Sequence, residues 1–281
     1  MLYTLRQSME YPSLHVKKYT KKVYFKDMWD EELIESRGHV YHSNGNLVIN
    51  PFTKVFHRFQ HDTDIPLNEF CTYVEKINGF MGCITYVEED INDFVISTTG
   101  SLDSEFVDFV DDFVTDKVLD NIEKGYTYIF EVCHPADPHI ISEKQGLYLL
   151  GRRKVSDKEH YTTDCIKEAD LDAIAFNMGV YRPHWGFDIF ENILNNCKKV
   201  MFEGYIVYSP STTIKLKSPY YSSLKAIARS PDLNKFNRGR LSPEFIKIFD
   251  ELDLNKFQVL DEQERLKILK QDYNEKILHI R

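Results

Sequence analysis

The sequence predicts an α+β fold: antiparallel strands flanked by helices over residues 1–219, then a small helical segment over 220–281. Three observations predict it. An Asn44-Gly45 turn sits between the β-rich runs 39–42 and 47–50, which is a strong hairpin signal. Residues 83–88 and 93–97 alternate apolar and polar side chains on either side of a polar turn. From Tyr221 the chain becomes charged and helix-like, punctuated by Pro231, Gly239 and Pro243.

In chain order, residues 2–10 are expected as a short helix ended by Pro12, and 17–26 as a strand with Val23 and Phe25 on one side. The 39–50 hairpin follows, and 62–66 reads as a loop. Tyr73, Val74 and Glu75 end a strand, and Lys76 stands just past it, before Gly79 and Gly82. These glycines permit a tight turn and close backbone approach to a ligand. After the 83–97 hairpin, residues 104–122 carry apolar side chains from Phe106 to Ile122 as a helical stripe with an acidic outer face, stopped by Gly125. Residues 126–132 read as a buried strand with Glu131 near its end; 139–142 and 146–152 read as a further hairpin. Residues 170–176 look helical, 181–186 a loop and 187–199 a helix. A strand over 200–208 is interrupted by Glu203-Gly204, and the next, 212–216, carries Lys215 with Lys217 at its end. The last helices are expected at 222–229, 242–250 and 260–279.

A chain of 281 residues with 42% hydrophobic residues can bury a substantial core. No apolar run approaches the length of a membrane span, so no membrane partner is expected. The start lacks an apolar block behind basic residues, so no signal peptide is expected. Cys71, Cys83, Cys133, Cys165 and Cys197 are odd in number and lack a CxxC pair. They read as small buried apolar residues in a reducing cytoplasm. A net charge of −9 argues against holding nucleic acid by bulk charge, although lysines cluster at Lys17, Lys18, Lys21, Lys22 and Lys26. A solvated face is the simpler reading of that cluster.

Four features place charge on strand ends in the β-rich body: Lys76-x-Asn78-Gly79, Glu131, Glu203-Gly204, and Lys215-x-Lys217, whose period of two puts both lysines on one face. Charge in apolar strands costs free energy unless it is paired or used. Lys-x-Asn-Gly alone is more often a surface turn. Together the four suggest a site for a polyphosphate and a magnesium ion, with lysines on phosphate oxygens and glutamates on hydroxyls or the cation.

At these residues the chain resembles the covalent nucleotidyltransferases, the ATP-dependent ligases and capping enzymes, and most of all the bacteriophage RNA ligase 1 family. The matching pieces are SRGHVY (36–41), NPFTKVF (50–56), EKING (75–79), TGS (99–101), YIFEV (128–132), GLYLLGRR (146–153), EGYIV (203–207) and KLK (215–217). Each is short; their shared order and spacing carry the resemblance. It implies an ATP-grasp-like nucleotidyltransferase domain over 1–219 and a small C-terminal helical domain over 220–281. It implies Lys76 as the lysine that takes AMP from ATP, passes it to an RNA 5′-phosphate, and so allows a 3′-hydroxyl to seal the strand. Lys215 and Lys217, with magnesium, are expected to keep the Lys76 amine unprotonated. By the same resemblance Arg37 contacts nucleotide and RNA phosphate, Lys54 lies on the pocket rim, and Glu131 holds the ribose. Glu203 binds the metal, Glu75 helps read adenine, and Gly79 lets the base lie close. The implied partner is RNA with 5′-phosphate and 3′-hydroxyl ends, a nicked tRNA among them. Separately from the resemblance, the protein is expected to be a monomer.

Three positions depart from the family pattern: Thr99 stands where a lysine is usual, Asp137-Pro138 where Asn-Arg follows the proline, and His57 where asparagine is frequent. The rival readings are a DNA ligase, a capping guanylyltransferase or an inactive RNA-binding relative. The first two usually carry an OB barrel after the Lys-x-Lys strand, and residues 218–281 lack the run of short strands that barrel needs. Loss of this tail is expected to weaken sealing more than adenylation.

Overall fold

The computed structural model describes residues 1–156 and 167–279. Its central layer is a sheet in the order β10 (Gly146–Lys154), β9 (Tyr126–Cys133), β7 (Phe80–Val87) and β8 (Asp93–Thr98), antiparallel throughout. These strands are apolar on both faces because both faces are covered. Ile84, Tyr128, Phe130 and Val132 meet Val110, Val118, Leu171 and Met178 of α3 (Glu105–Asp111), α4 (Asp116–Leu119) and α5 (Glu168–Met178). Met81, Cys83, Val95 and Ile129 point the other way.

There they pack on Leu14, Val16, Val40, Val48 and Ile49 of a second antiparallel sheet. It runs β1 (Tyr3–Gln7), β2 (Leu14–Tyr19), β3 (Arg37–His42), β4 (Leu47–Ile49). The short helices α1 (Lys21–Lys26) and α2 (Glu31–Ile34) join β2 to β3. The third sheet is β11 (Trp185–Ile189), β6 (Phe70–Glu75), β12 (Gly204–Tyr208), β13 (Thr213–Lys217) and β5 (Phe56–His57), with only the β13–β5 pair parallel. Cys71, Tyr205, Val207, Ile214 and Leu216 cover one of its faces against Phe190, Ile193 and Cys197 of α6 (Phe190–Cys197). The alternate residues Val74, Ile206 and Lys215 line a cavity.

Helices α7 (Pro219–Ala228), α8 (Pro243–Glu251), α9 (Leu254–Gln258) and α10 (Glu262–Lys276) follow β13 and share a core of Tyr220, Leu224, Ile227, Phe245, Ile248, Phe257 and Leu266. Ile140, from the loop after β9, is part of it. Buried Arg265 donates to the carbonyls of Ala228, Ser230 and Gln258 and so ties α10 to the end of α7. Among the described residues no helix is long and apolar enough to cross a membrane. Cys71, Cys83, Cys133 and Cys197 are buried, and Cys165 lies outside the described residues.

Several expected elements differ. Residues 2–10 are not a helix: Tyr3–Gln7 pairs antiparallel with β2, since the turn after it brings a partner strand within reach. The expected 17–26 strand stops at Tyr19 and continues as α1. The long 104–122 helix divides into α3 and α4, where the Thr115 side chain accepts from the Val118 N–H and starts the second helix. Residues 139–142 form no strand, and β10 pairs directly with β9. Trp185–Ile189, expected as loop and helix, is a strand on the edge of β6. The 200–208 strand begins only at Gly204, whose φ of 135° turns the chain into the sheet.

Candidate active site

β6 ends at Glu75, and the Lys76 N–H donates to the Gly204 carbonyl at 2.9 Å, so Lys76 starts its turn against the head of β12. Two glycines let the chains close up. A Cβ on Gly79 would lie 2.2 Å from the Val132 oxygen, and one on Gly204 would lie 2.1 Å from the Leu216 oxygen. Without side chains there, the Lys76 turn, the end of β9 and the β12–β13 pair share one corner.

Glu203 fills that corner. It is 2% exposed and both its oxygens are used: Oε2 takes Lys76 Nζ at 3.1 Å and Asn78 Nδ2 at 2.8 Å, and Oε1 takes Lys217 Nζ at 3.0 Å. Burial pushes this carboxyl up, but the two ammonium groups win and hold it below its ordinary pKa. Asn78 accepts from the Ile141 N–H at 2.9 Å through its side chain, so it joins Glu203 to the loop after β9. Glu131 accepts from the Gly79 N–H at 3.0 Å. Burial raises its pKa, against the pull of Lys76.

Above this corner lies a cavity of about 380 Å³. Arg37, Lys54, Lys76 and Lys215 reach it, as do Glu75 and Glu131; Phe52, Val74, Ile206 and Tyr208 supply apolar walls. Arg37 arrives from β3 because Gly38, at φ 95°, packs its backbone against Thr99, where a Cβ would sit 2.8 Å from the Thr99 Cα. The SRG and TGS motifs are therefore one contact. Lys54 is buried, with its ammonium 3.0 Å from the Val55 carbonyl and 4.4 Å from the Phe56 ring centroid. Glu75 lies 3.8 Å from His184. Glu203 and Lys217 are not among the cavity's lining residues and meet it through Lys76.

The proton states differ from the sequence expectation. Burial alone would lower the Lys76 pKa, yet the carboxylates of Glu131 and Glu203 overcome burial and raise it, so its amine is held protonated. Lys215 is the depressed lysine, brought to about 6 by burial and by Lys54, Arg37 and Lys217. Lys54 is lowered to about 8, first by burial. His57, beside Lys215 in the β13–β5 pair, falls to about 4 by burial and the same lysines and is neutral near pH 7.

The donor set fits a nucleotide: apolar walls for a base, and cations that lack enough carboxylates to neutralise them, ready for phosphate oxygens. It does not form a ready metal cage. Among the described residues no three His, Cys, Asp or Glu side chains gather as one. Glu203 serves here as the counter-ion of two lysines. A divalent ion would need phosphate oxygens for most of its shell.

All nine residues singled out in the sequence meet at the cavity or at the Glu203 corner below it. Asn78 was visible in the motif but had no assigned role. The walls Phe52 and Tyr208 carried no chemical signal, and Tyr221, which lies over Lys217, could not be placed from spacing.

The sequence matches no family model and no curated protein. Solved structures do match. Two forms of an archaeal ATP-dependent RNA ligase align with TM-scores of 0.58 and 0.57, at 13% and 12% identity, over 94% and 99% of this chain and 72% and 74% of theirs. A protein from Aquifex aeolicus, provisionally named an ATP-dependent DNA ligase, aligns with a TM-score of 0.56 at 13% identity over 98% of this chain and 78% of its own. The chain thus shares its fold with these solved structures.

Proposed function

We propose that this protein is an ATP-dependent RNA ligase that works through an adenylated Lys76. The observation that carries the reading is the Lys76–Glu203–Lys217 triad under a cavity lined by Arg37, Lys54 and Lys215, on a ligase fold. In the first step Lys76 Nζ attacks the α-phosphate of ATP. The Lys76 ammonium first releases one proton to solvent and attacks as the neutral amine; a P–N bond forms, the P–O bond to pyrophosphate breaks, and a second proton leaves to solvent, so that the phosphoramidate nitrogen keeps one hydrogen. Arg37, Lys54 and Lys215 stabilise the charge developing on the phosphate oxygens. Any cation that draws Glu203 away from Lys76 weakens the hold on the Lys76 proton, which makes the carboxylate a control on the nucleophile. A magnesium ion carried by the phosphates would supply further charge neutralisation, with Glu203 the carboxylate closest to the lysines. AMP then passes to the 5′-phosphate of an RNA, and a neighbouring 3′-hydroxyl displaces it to seal the strand. Glu131 is assigned to the ribose and Glu75 to the base.

RNA is preferred over DNA and over capping because α7–α10 follow Lys217 and the described residues there form no strand, so no OB barrel is present among them. A nicked tRNA is the substrate class the sequence resemblance suggests. Incubation with radiolabelled ATP or GTP and magnesium tests the reading. ATP is expected to label wild type and not Lys76→Ala, and RNA with a 5′-phosphate is expected to be sealed faster than DNA. Labelling by GTP alone would favour the capping alternative.

A further inference from the structure

The cation row continues beyond the nucleotide cavity. Ser218 caps α7, accepting from the Tyr221 N–H at 3.0 Å, and this sets Tyr221 and Lys225 one turn apart on one helix face, directly after Lys217. Lys217 Nζ lies 4.7 Å from the Tyr221 ring centroid. Lys225 Nζ lies 5.6 Å from the same centroid and 3.5 Å from the Tyr221 hydroxyl. Two lysine ammonium groups therefore lie within 5.6 Å of the centre of one tyrosine ring. Lys217 has Glu203 as its counter-ion. Next along the helix, Arg229 has Glu262 at 2.9 Å. Lys225 forms no ion pair with any carboxylate among the described residues, although it is only partly exposed. Its charged surroundings are mostly cations: burial, then Lys217 and Arg229, lower its pKa to about 8, with Glu203 opposing. None of Lys217, Tyr221 and Lys225 lines the nucleotide cavity.

We propose that Lys217, Tyr221 and Lys225 form a second subsite, on α7 and outside the nucleotide cavity, that binds a terminal phosphate group. This rests on the ligase reading for its place in the reaction, but not for its chemistry. A half-buried ammonium among other cations is costly until an anion joins it. A terminal phosphate offers two or more charges and several acceptor oxygens to two point-charge lysines. The Tyr221 hydroxyl also faces Asn78 and Glu203, so the subsite adjoins the corner that holds Lys76. Two sources share this chemistry: the 5′-phosphate end of an RNA strand, and pyrophosphate leaving the nucleotide.

The test uses the full chain without ATP. Affinity is measured for pyrophosphate and for one short oligoribonucleotide with either a 5′-phosphate or a 5′-hydroxyl. Wild type is compared with Lys225→Gln, Lys225→Arg and the distant surface variant Lys256→Gln. Lys225→Gln is expected to lose about tenfold in affinity for the 5′-phosphorylated RNA, for pyrophosphate, or for both, with the 5′-hydroxyl RNA little changed. The ligand that loses affinity identifies the source. Lys225→Arg is expected to restore binding, and Lys256→Gln to bind as wild type. Unchanged affinity for both phosphate ligands in Lys225→Gln would overturn the subsite. Equal weakening for both RNAs with pyrophosphate unaffected would overturn it too, because it would show general backbone attraction. Adenylation of Lys76 is scored separately: an adduct without any phosphate preference sinks the subsite alone, and a preference without an adduct sinks the ligase reading alone.

Discussion

Glu203 binds two lysines whose positions differ greatly in sequence, Lys76 being 127 residues away. The residue types at this corner were legible because Lys-x-Asn-Gly, Glu-Gly and Lys-x-Lys keep short, fixed spacings. The proton states were not legible, since they depend on which carboxylate reaches which amine after folding. The lysine expected to be deprotonated, Lys76, is held charged by Glu131 and Glu203, and the depressed one is Lys215. Glu203→Gln is therefore predicted to lower the Lys76 pKa, read by NMR titration of its side chain; an unchanged titration would contradict the assigned cause. Lys215 yields its proton near 6 in the folded chain, against an ordinary 10.5. Between those values the unfolded chain holds the extra proton. The penalty for burying this lysine is thus fully present below pH about 6 and fades as pH rises toward 10.5. A triphosphate landing on Lys215 restores its proton. Binding near pH 8 is predicted to take up as much as about one proton, and to weaken as pH rises. Calorimetry in buffers of different ionisation heat measures this; Lys215→Met should remove most of the uptake, and equal uptake in both proteins would contradict it.

At the scale of elements, period-two alternation located β7, β8 and β13, and a continuous apolar run located β9, which is buried on both faces. Alternation failed at β1 and β11. β1 is mostly exposed, and β11 is an edge strand with Phe187 and Ile189 open to solvent, so neither carries a clean buried face in its sequence. The glycines of the site act at this scale too, by allowing elements to touch. Gly79→Ala would place a Cβ 2.2 Å from the Val132 oxygen on β9 and is predicted to destabilise by about 1–3 kcal/mol in urea unfolding. Gly45→Ala, with nothing within 4 Å, carries only the strain of its φ of 91° and is predicted to cost less. Equal costs would contradict the close-approach account.

For the whole molecule, the run of helices α7–α10 after β13 was legible from the change in composition near Tyr221. Its connection to the site was not, because Tyr221 reaches Lys217 by a ring contact and Ile140 joins the helical core from a distant loop. Truncation after Pro219 is therefore not a clean excision. It removes the ring over Lys217 and uncovers Ile140. Adenylation is predicted to fall as well as sealing, with sealing falling further; normal adenylation with sealing lost would show the tail to be independent of the corner. The central claim is that Lys76 is the nucleophile of a nucleotide-transfer site. Its most direct test is mass-spectrometric mapping of the protein after incubation with ATP and magnesium. The account predicts AMP on the peptide that contains Lys76, and none on any peptide of Lys76→Ala; AMP on another lysine, or no adduct on the folded wild-type chain, would contradict it.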